Sequence, residues 1–248
     1  MSNKQHIFGL HAVHALLKSQ PERIIRLFVS EERGDKKLQQ LITDAKRIGI
    51  PLELTSRKTL NRMTDDANHQ GVLAQCESAK VYAENDLVTL LAAIDGDPFI
   101  LILDGVQDPH NLGACFRSAD AAGVHMIIAP KDKSVGLTAA VSKVASGAAE
   151  TIPFVQVTNL ARTLEILKEK GIWIYGAAGE ASQSLYQTKL TGAIAIVMGA
   201  EGEGLRRLTR ERCDFLVNIP MKGSVSSLNV SVATGVFLFE VVRQRDKK

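Results

Sequence analysis

Several things are scarce in this 248-residue chain, and each scarcity excludes something. The three cysteines, Cys76, Cys115 and Cys213, are odd in number and widely spaced. With no C-x-x-C pair and no histidines at zinc spacing, they argue against a disulfide scaffold and against a structural metal. No stretch approaches the roughly 18 apolar residues of a membrane helix. The start, MSNKQHIFGLHAVHALL, breaks with polar residues the apolar stretch that a signal peptide needs, so a cytoplasmic protein with no membrane partner is expected. A G-x-S-x-G elbow is missing, which leaves a serine hydrolase weakly supported. What is present is an ordinary globular mixture, 45% hydrophobic and 23% charged, enough for one large domain or two small ones.

Net charge is only +3, too little to announce a nucleic-acid binder, but its distribution is uneven. Residues 1 to 80 hold 13 Lys and Arg against 9 Asp and Glu, whereas the remainder holds 17 against 18. The front third is therefore the basic part, either because it touches a polyanion or as a chance excess on a solvated surface.

The first 80 residues alternate short strand-like and helix-like stretches, IIRLFV (24–29), KKLQQLITDAKRIGI (36–50), PLEL and VLAQC, and read as a small α/β module. In KVYAENDLVTLLAAIDGDP, Asp86 can cap a short helix that ends at the Asp95–Pro98 cluster, and the inter-domain connection is placed there. The expected division is a domain at 1–78, a linker at 79–97 and a second domain at 98–248. Beyond residue 98, the apolar strands FILIL, VHMIIA, IWIYGA and AIAIVM alternate with helical stretches, the pattern of a parallel sheet covered on both faces. A last helix from Val230 to Arg245 is apolar around more than one side. Either a second copy of the chain covers the extra face or the helix is enclosed within its own domain.

Three loops follow apolar strands, at the edge where open α/β sheets bind ligands. In DGVQDPHNLGACFRSADAAG (104–123), Asn111 is the expected N-cap after Pro109. Arg117 needs a charge partner, which is either a ligand or one of Asp104, Asp108 and Asp120. In MGAEGEGL (198–205) the spacing is G-x-x-G-x-G, and Glu201 and Glu203 stand where a pyrophosphate would sit. This disfavours a nicotinamide-dependent oxidoreductase and suits a ligand with a positive centre. In IPMKGSVSSLNVSVATG (219–235), Ser226, Ser227 and Asn229 open the last helix, more polar groups than capping alone requires. Among the histidines, only His110 adjoins a candidate site.

The three loops, in the form NLGACFRSADAAGV, VMGAEGEGL and IPMKGSVSSLNVSVATG, resemble in order and spacing the three motifs of the SpoU (TrmH) family of RNA ribose 2'-O-methyltransferases, within the SPOUT class. HIFGLHAVHALL and HQGVLAQC are similar to the substrate-binding domain of family members that methylate a guanosine ribose in the peptidyl-transferase P-loop of bacterial 23S rRNA. The resemblance spans essentially the whole chain, with no departure at the motif positions. It implies a ribosomal-protein-like α/β RNA-binding domain followed by a SPOUT domain with a parallel sheet and a deep trefoil knot, acting as a homodimer with the site at the subunit interface. The partner it implies is 23S rRNA or a large-subunit assembly intermediate. It further implies that Asn111, Arg117, Glu201, Ser227 and Asn229 surround the ribose, its phosphate and the methyl donor. S-adenosylmethionine would be held by backbone groups including those of Gly199, Ile219 and Leu228, with no metal. An arginine pKa above about 12 makes a poor base, so Arg117 is expected to position phosphate or oxyanion. The proton would then pass to water, His110 or a substrate phosphate. A tRNA or another rRNA ribose as substrate, and a non-enzymatic ribosome-assembly protein, are the alternatives.

Overall fold

The computed structural model of the chain describes residues 4–246. In chain order its elements are β1 (Lys4–Phe8), α1 (Leu10–Ser19), β2 (Ile24–Ser30), α2 (Lys36–Arg47), β3 (Leu52–Thr55), α3 (Arg57–Met63), β4 (Val72–Glu77), β5 (Val81–Ala83), α4 (Leu87–Ala92), β6 (Phe99–Asp104), α5 (Pro109–Ala121), β7 (Met126–Pro130), α6 (Ala139–Ala145), β8 (Phe154–Val157), α7 (Leu160–Glu169), β9 (Trp173–Ala177), β10 (Gln183–Ser184), β11 (Ile194–Gly199), α8 (Arg207–Arg212), β12 (Phe215–Asn218) and α9 (Val230–Arg245). They form two compact units. Unit 1 is Met1–Lys80 with Leu137–Thr151, and unit 2 is Val81–Gly136 with Ile152–Lys248.

Unit 1 is a four-stranded sheet in the order β1-β4-β2-β3, with β4 antiparallel to both neighbours and β2 parallel to β3. Side chains alternate across a strand, so Leu27 and Val29 of β2 join Val72, Ala74 and Cys76 of β4 in the larger core under α1 and α2. Phe28 and Leu73 turn the other way to meet Leu60 of α3. The α2 helix buries Leu38, Leu41 and Ala45 on one stripe, and Asp35 caps it by accepting from the Lys37 and Leu38 amides. The excursion 137–151 is bound into this unit by a buried ion pair, Arg23 Nη1 to Glu150 Oε2 at 2.6 Å. At Gly147 (φ 101°) a Cβ would stand 2.7 Å from the Ala15 methyl, so only glycine lets the turn approach α1.

Unit 2 is an eight-stranded sheet in the order β10-β12-β9-β11-β6-β7-β8-β5, parallel at every pairing. All six residues of β6 are buried because helices cover both faces. Ile100 and Ile102 pack towards Leu160, Leu164 and Leu167 of α7. The alternate residues Leu101 and Leu103 turn to the opposite face, where α5 and α9 pack on each other. Residues 79–97, expected as a connection, carry two elements of this unit: β5 pairs with β8 at the sheet edge and Leu87 of α4 is buried in the core. Asp86 does not cap that helix with its side chain but accepts from the Ala83 amide at 2.9 Å.

Candidate functional site

In unit 2, β6 and β11 run side by side and end together, with Asp104 opposite Gly199. The loops leaving β9, β11 and β12, with the start of α9, enclose a cavity of about 690 Å³ at this carboxyl edge. Glu201, Ser227, Asn229, Gly199, Ile219 and Leu228 all line it.

The middle loop turns back on its own strand. Ala200 and Gly204 exchange backbone hydrogen bonds at 3.0 and 3.1 Å. A Cβ at Gly199 would lie 2.2 Å from the Gly204 carbonyl carbon, a distance no side chain tolerates. The glycine spacing thus serves a tight return that presents Glu201 to the cavity. Asp104, fully buried at the end of β6, anchors the far end of this loop: its carboxylate accepts from the Arg206 amide at 3.0 Å and from its guanidinium at 2.5 Å.

Three side chains from the three motifs meet directly. Asn229 caps α9 through Oδ1, accepting from the Ser231 amide at 2.9 Å. Its Nδ2 donates to Asn111 Oδ1 at 3.0 Å and to Glu201 Oε1 at 2.5 Å. Asn111 Nδ2 donates to the same Glu201 oxygen at 3.1 Å. Asn111 is not the cap of α5, as the sequence suggested. Pro109 occupies the first helical position, which moves the cap to Asp108, whose carboxylate accepts from the His110 amide at 2.9 Å. That frees the Asn111 amide for the cluster.

Arg117 stands apart. It follows Asn111 by six residues, which on a helix is about 9 Å of rise and about 240° of turn. It is therefore exposed on another face, does not line the cavity and carries no ion pair among the described residues. The expected need for a charge partner lapses because its side chain is solvated. Of the alternative partners, Asp104 is taken by Arg206 and Asp108 by the helix cap.

The electrostatics of the cavity are one-sided. Its ionisable lining residues are the carboxylates Glu180, Glu201 and Glu203, with no lysine, arginine or histidine among them; Glu180 is paired outside the lining with Arg210, which leaves Glu201 and Glu203 to set the charge. A phosphate would meet repulsion there, and a cationic centre attraction. No cysteine lines the cavity, and burial pushes the Cys115 thiol on the neighbouring α5 up to about 11, which keeps it protonated. Two features escaped the motif reading. One is the Asp104–Arg206 anchor, for which the buried acid ending an apolar strand was the available signal. The other is the Ala178–Glu180 stretch after IWIYGA, a further strand-end loop on the cavity.

The α9 helix buries Val230, Thr234, Phe237, Leu238 and Val241, yet Val232 and Phe239 on another stripe are 54% and 49% exposed. Its own unit thus covers only part of the apolar circumference. Among the described residues, no helix is long and apolar enough to cross a membrane.

The family model described as the SpoU rRNA Methylase family matches residues 98–239. A second, described as RNA 2'-O ribose methyltransferase substrate binding, matches residues 6–82. The chain is 63% identical over 245 residues to the 23S rRNA (guanosine-2'-O-)-methyltransferase RlmB of Shewanella oneidensis, covering 99% of both. To the protein of the same name from Escherichia coli K12 it is 59% identical over 239 residues, covering 96% of this chain and 98% of the relative. Its fold is similar to that of the SpoU methyltransferase AviRb from Streptomyces viridochromogenes in complex with the cofactor AdoMet, with a TM-score of 0.79, 21% identity, and coverage of 99% of this chain and 92% of that one. The family model over residues 98–239 and the near full-length identity establish that the chain belongs to the SpoU rRNA methylase family.

Proposed function

We propose that this chain is an S-adenosylmethionine-dependent methyltransferase acting on the 2'-hydroxyl of a guanosine ribose in 23S rRNA, the peptidyl-transferase P-loop being the site the motif resemblance favours. The observation that carries the reading is the meeting of Asn111, Glu201 and Asn229, one from each motif, at a cavity with acidic and no basic lining. The cavity fits the donor: about 690 Å³ lies within the range of small-molecule sites, and its carboxylates suit a sulfonium. When bound, S-adenosylmethionine supplies an electrophilic methyl group on that positively charged sulfur.

The chain's own residues do the rest. Backbone groups of Gly199, Ile219 and Leu228 hold the donor, and Ser227 contributes a hydroxyl at the same wall. Asn111 and Asn229 lock the Glu201 carboxylate in place, so its charge needs no reorganisation during the reaction. Arg117 acts on the RNA, pairing with the phosphate or stabilising the developing 2'-oxyanion, and remains protonated throughout.

Because Arg117 does not line the cavity of its own chain, the reading includes a homodimer in which the exposed Val232 and Phe239 stripe is covered and Arg117 completes the site of the second copy. A cytoplasmic location, a deep trefoil knot in the C-terminal domain and recognition of rRNA, free or in a large-subunit assembly intermediate, by an N-terminal domain spanning 1–78 complete the proposal. The excess positive charge of the first 80 residues supports the last point. Titrating S-adenosylmethionine into the full chain by calorimetry tests the core of it: binding that Glu201→Gln weakens is expected, and no heat of binding by the unaltered chain refutes it.

A further inference from the structure

Unit 1 contains a second cavity, of about 500 Å³, that none of the three motifs touches. It lies where β2 and β3, the parallel pair of that sheet, reach their carboxyl ends, the edge at which α/β sheets bind ligands. Its wall is built with care. His69, only 5% exposed, accepts the Gly71 amide on Nδ1 at 3.0 Å. The ring proton is therefore on Nε2 and is donated to Asn61 Oδ1 at 2.8 Å. This pair holds a loop in which Asp66, Gln70 and Gly71 all take positive φ, of 55°, 52° and 78°. Backbone so constrained, at residues other than glycine, is found where a site is being shaped.

The groups presented are of mixed character. Arg33 and Arg57 bring guanidinium planes, Asn61 and Asn68 amides, and Glu32 and Asp66 carboxylates. Arg33 is paired with Asp35, whereas Arg57 and Asn68 are exposed and solvated, with no ion pair at Arg57 and no side-chain hydrogen bond at Asn68 among the described residues, so both are accessible to a ligand. A site for free phosphate would not include two carboxylates. A nucleobase edge offers donors and acceptors together, and a guanidinium can stack on its face while keeping a hand for the adjoining phosphate. We infer that this cavity takes one unpaired nucleotide of the RNA substrate, with Arg57 and Asn68 as its specificity contacts. The inference rests on the reading that RNA is the substrate.

The test is equilibrium binding of a 23S rRNA transcript to the full chain, at several salt concentrations, for Arg57→Ala, Asn68→Ala and, as an exposed cation outside the cavity, Lys58→Ala. Loss of a stacked or edge-bound base is expected to weaken binding about 5- to 100-fold. Asn68→Ala should do so with an unchanged salt slope, because no charge is removed. Lys58→Ala should cost about twofold or less while lowering the salt slope by up to about one. Should Arg57→Ala perturb folding, Arg57→Lys keeps the charge without the plane and is expected to bind weakly as well. If Arg57→Ala and Asn68→Ala bind like the unaltered chain, or Lys58→Ala weakens binding as much as they do, the nucleotide cavity is overturned while the RNA reading stands. If the unaltered chain does not bind the transcript, the functional reading fails and the cavity assignment with it.

Discussion

The two units place their cavities at the same topological address, the carboxyl edge of parallel strands, and line them with different chemistry, acidic in one and charge-balanced in the other. In unit 2 the walls are glycines, apolar side chains, a few amides and hydroxyls, and three carboxylates, of which only Glu180 has a cation, Arg210, beside it. In unit 1 they hold two guanidiniums and two carboxylates with amides between them. Strand topology supplies the location, and the side chains of the loops distinguish the proposed ligands, a small cationic donor in one unit and one nucleotide of an RNA in the other. Both sites depend on a polar side chain that holds loop backbone in place, Asp104 through Arg206 in unit 2 and His69 through Gly71 in unit 1.

Altering one unit should therefore leave the other's ligand alone. The largest effect is expected from Glu150→Ala, which takes the counter-charge from the buried Arg23 and leaves its guanidinium only the neutral Gln20 side chain and Glu77 carbonyl. Breaking such a pair costs about 3–5 kcal/mol. The only tryptophan of the chain, Trp173, lies in unit 2. Far-ultraviolet circular dichroism should thus show an early transition while Trp173 fluorescence melts as before, and a shared shift would mean that the units unfold as one.

Next comes Arg117→Ala, expected to lower turnover by about 10²- to 10³-fold, the scale for losing one transition-state contact. Mixing Arg117→Ala subunits with Asn229→Ala subunits should restore activity above either parent, because one site of each mixed dimer then has both groups. Mixtures as inactive as their parents would return Arg117 to the site of its own chain.

A smaller change follows from Asn229→Ser, which preserves a capping oxygen for α9 but loses the amide that reaches Asn111 and Glu201. Stability should fall by no more than about 0.5 kcal/mol, whereas affinity for S-adenosylmethionine drops measurably. If both are unchanged, the cluster does not shape the donor site.

The smallest expected effect is on pH dependence. Burial, assisted by the Arg57 and Arg33 charges, holds the His69 pKa below its ordinary 6.5. A group depressed on folding binds fewer protons folded than unfolded, so its stabilising contribution is complete above about 6.5 and declines as pH falls from there towards the folded value. The thermal stability of unit 1 should fall over that window in the unaltered chain and less so in His69→Gln. An unchanged profile in the variant would assign the slope to other groups.

Much of unit 2 was legible in the sequence because its signals are local. Continuous apolar runs mark strands buried on both faces, and each motif follows such a run. What escaped depends on contacts between distant residues. Asn111 resembles a cap in sequence because it begins a helical stretch, and only the preference of Pro109 for the first helical position moves the cap to Asp108. The 240° between Asn111 and Arg117 was computable from helix geometry, yet the shared motif suggested a shared site. The excursion 137–151 reads as an ordinary short helix, and nothing near it announces Arg23 or Ala15 as neighbours. The cavity of unit 1 is less legible: its groups come from the segment after β2, the α3 helix and the 66–71 loop, and only the last carries a recognisable stretch, the start of HQGVLAQC.

The central claim, that the acidic cavity of unit 2 directs methyl transfer to a ribose, is tested most directly by locating the transferred group. Full chain, radiolabelled S-adenosylmethionine and unmodified 23S rRNA are incubated, and the label is mapped after nuclease digestion. The expected result is one 2'-O-methylated guanosine, absent from the reaction of Glu201→Gln. Label on a base, label on the ribose of another nucleotide type, or no transfer despite bound donor would contradict it.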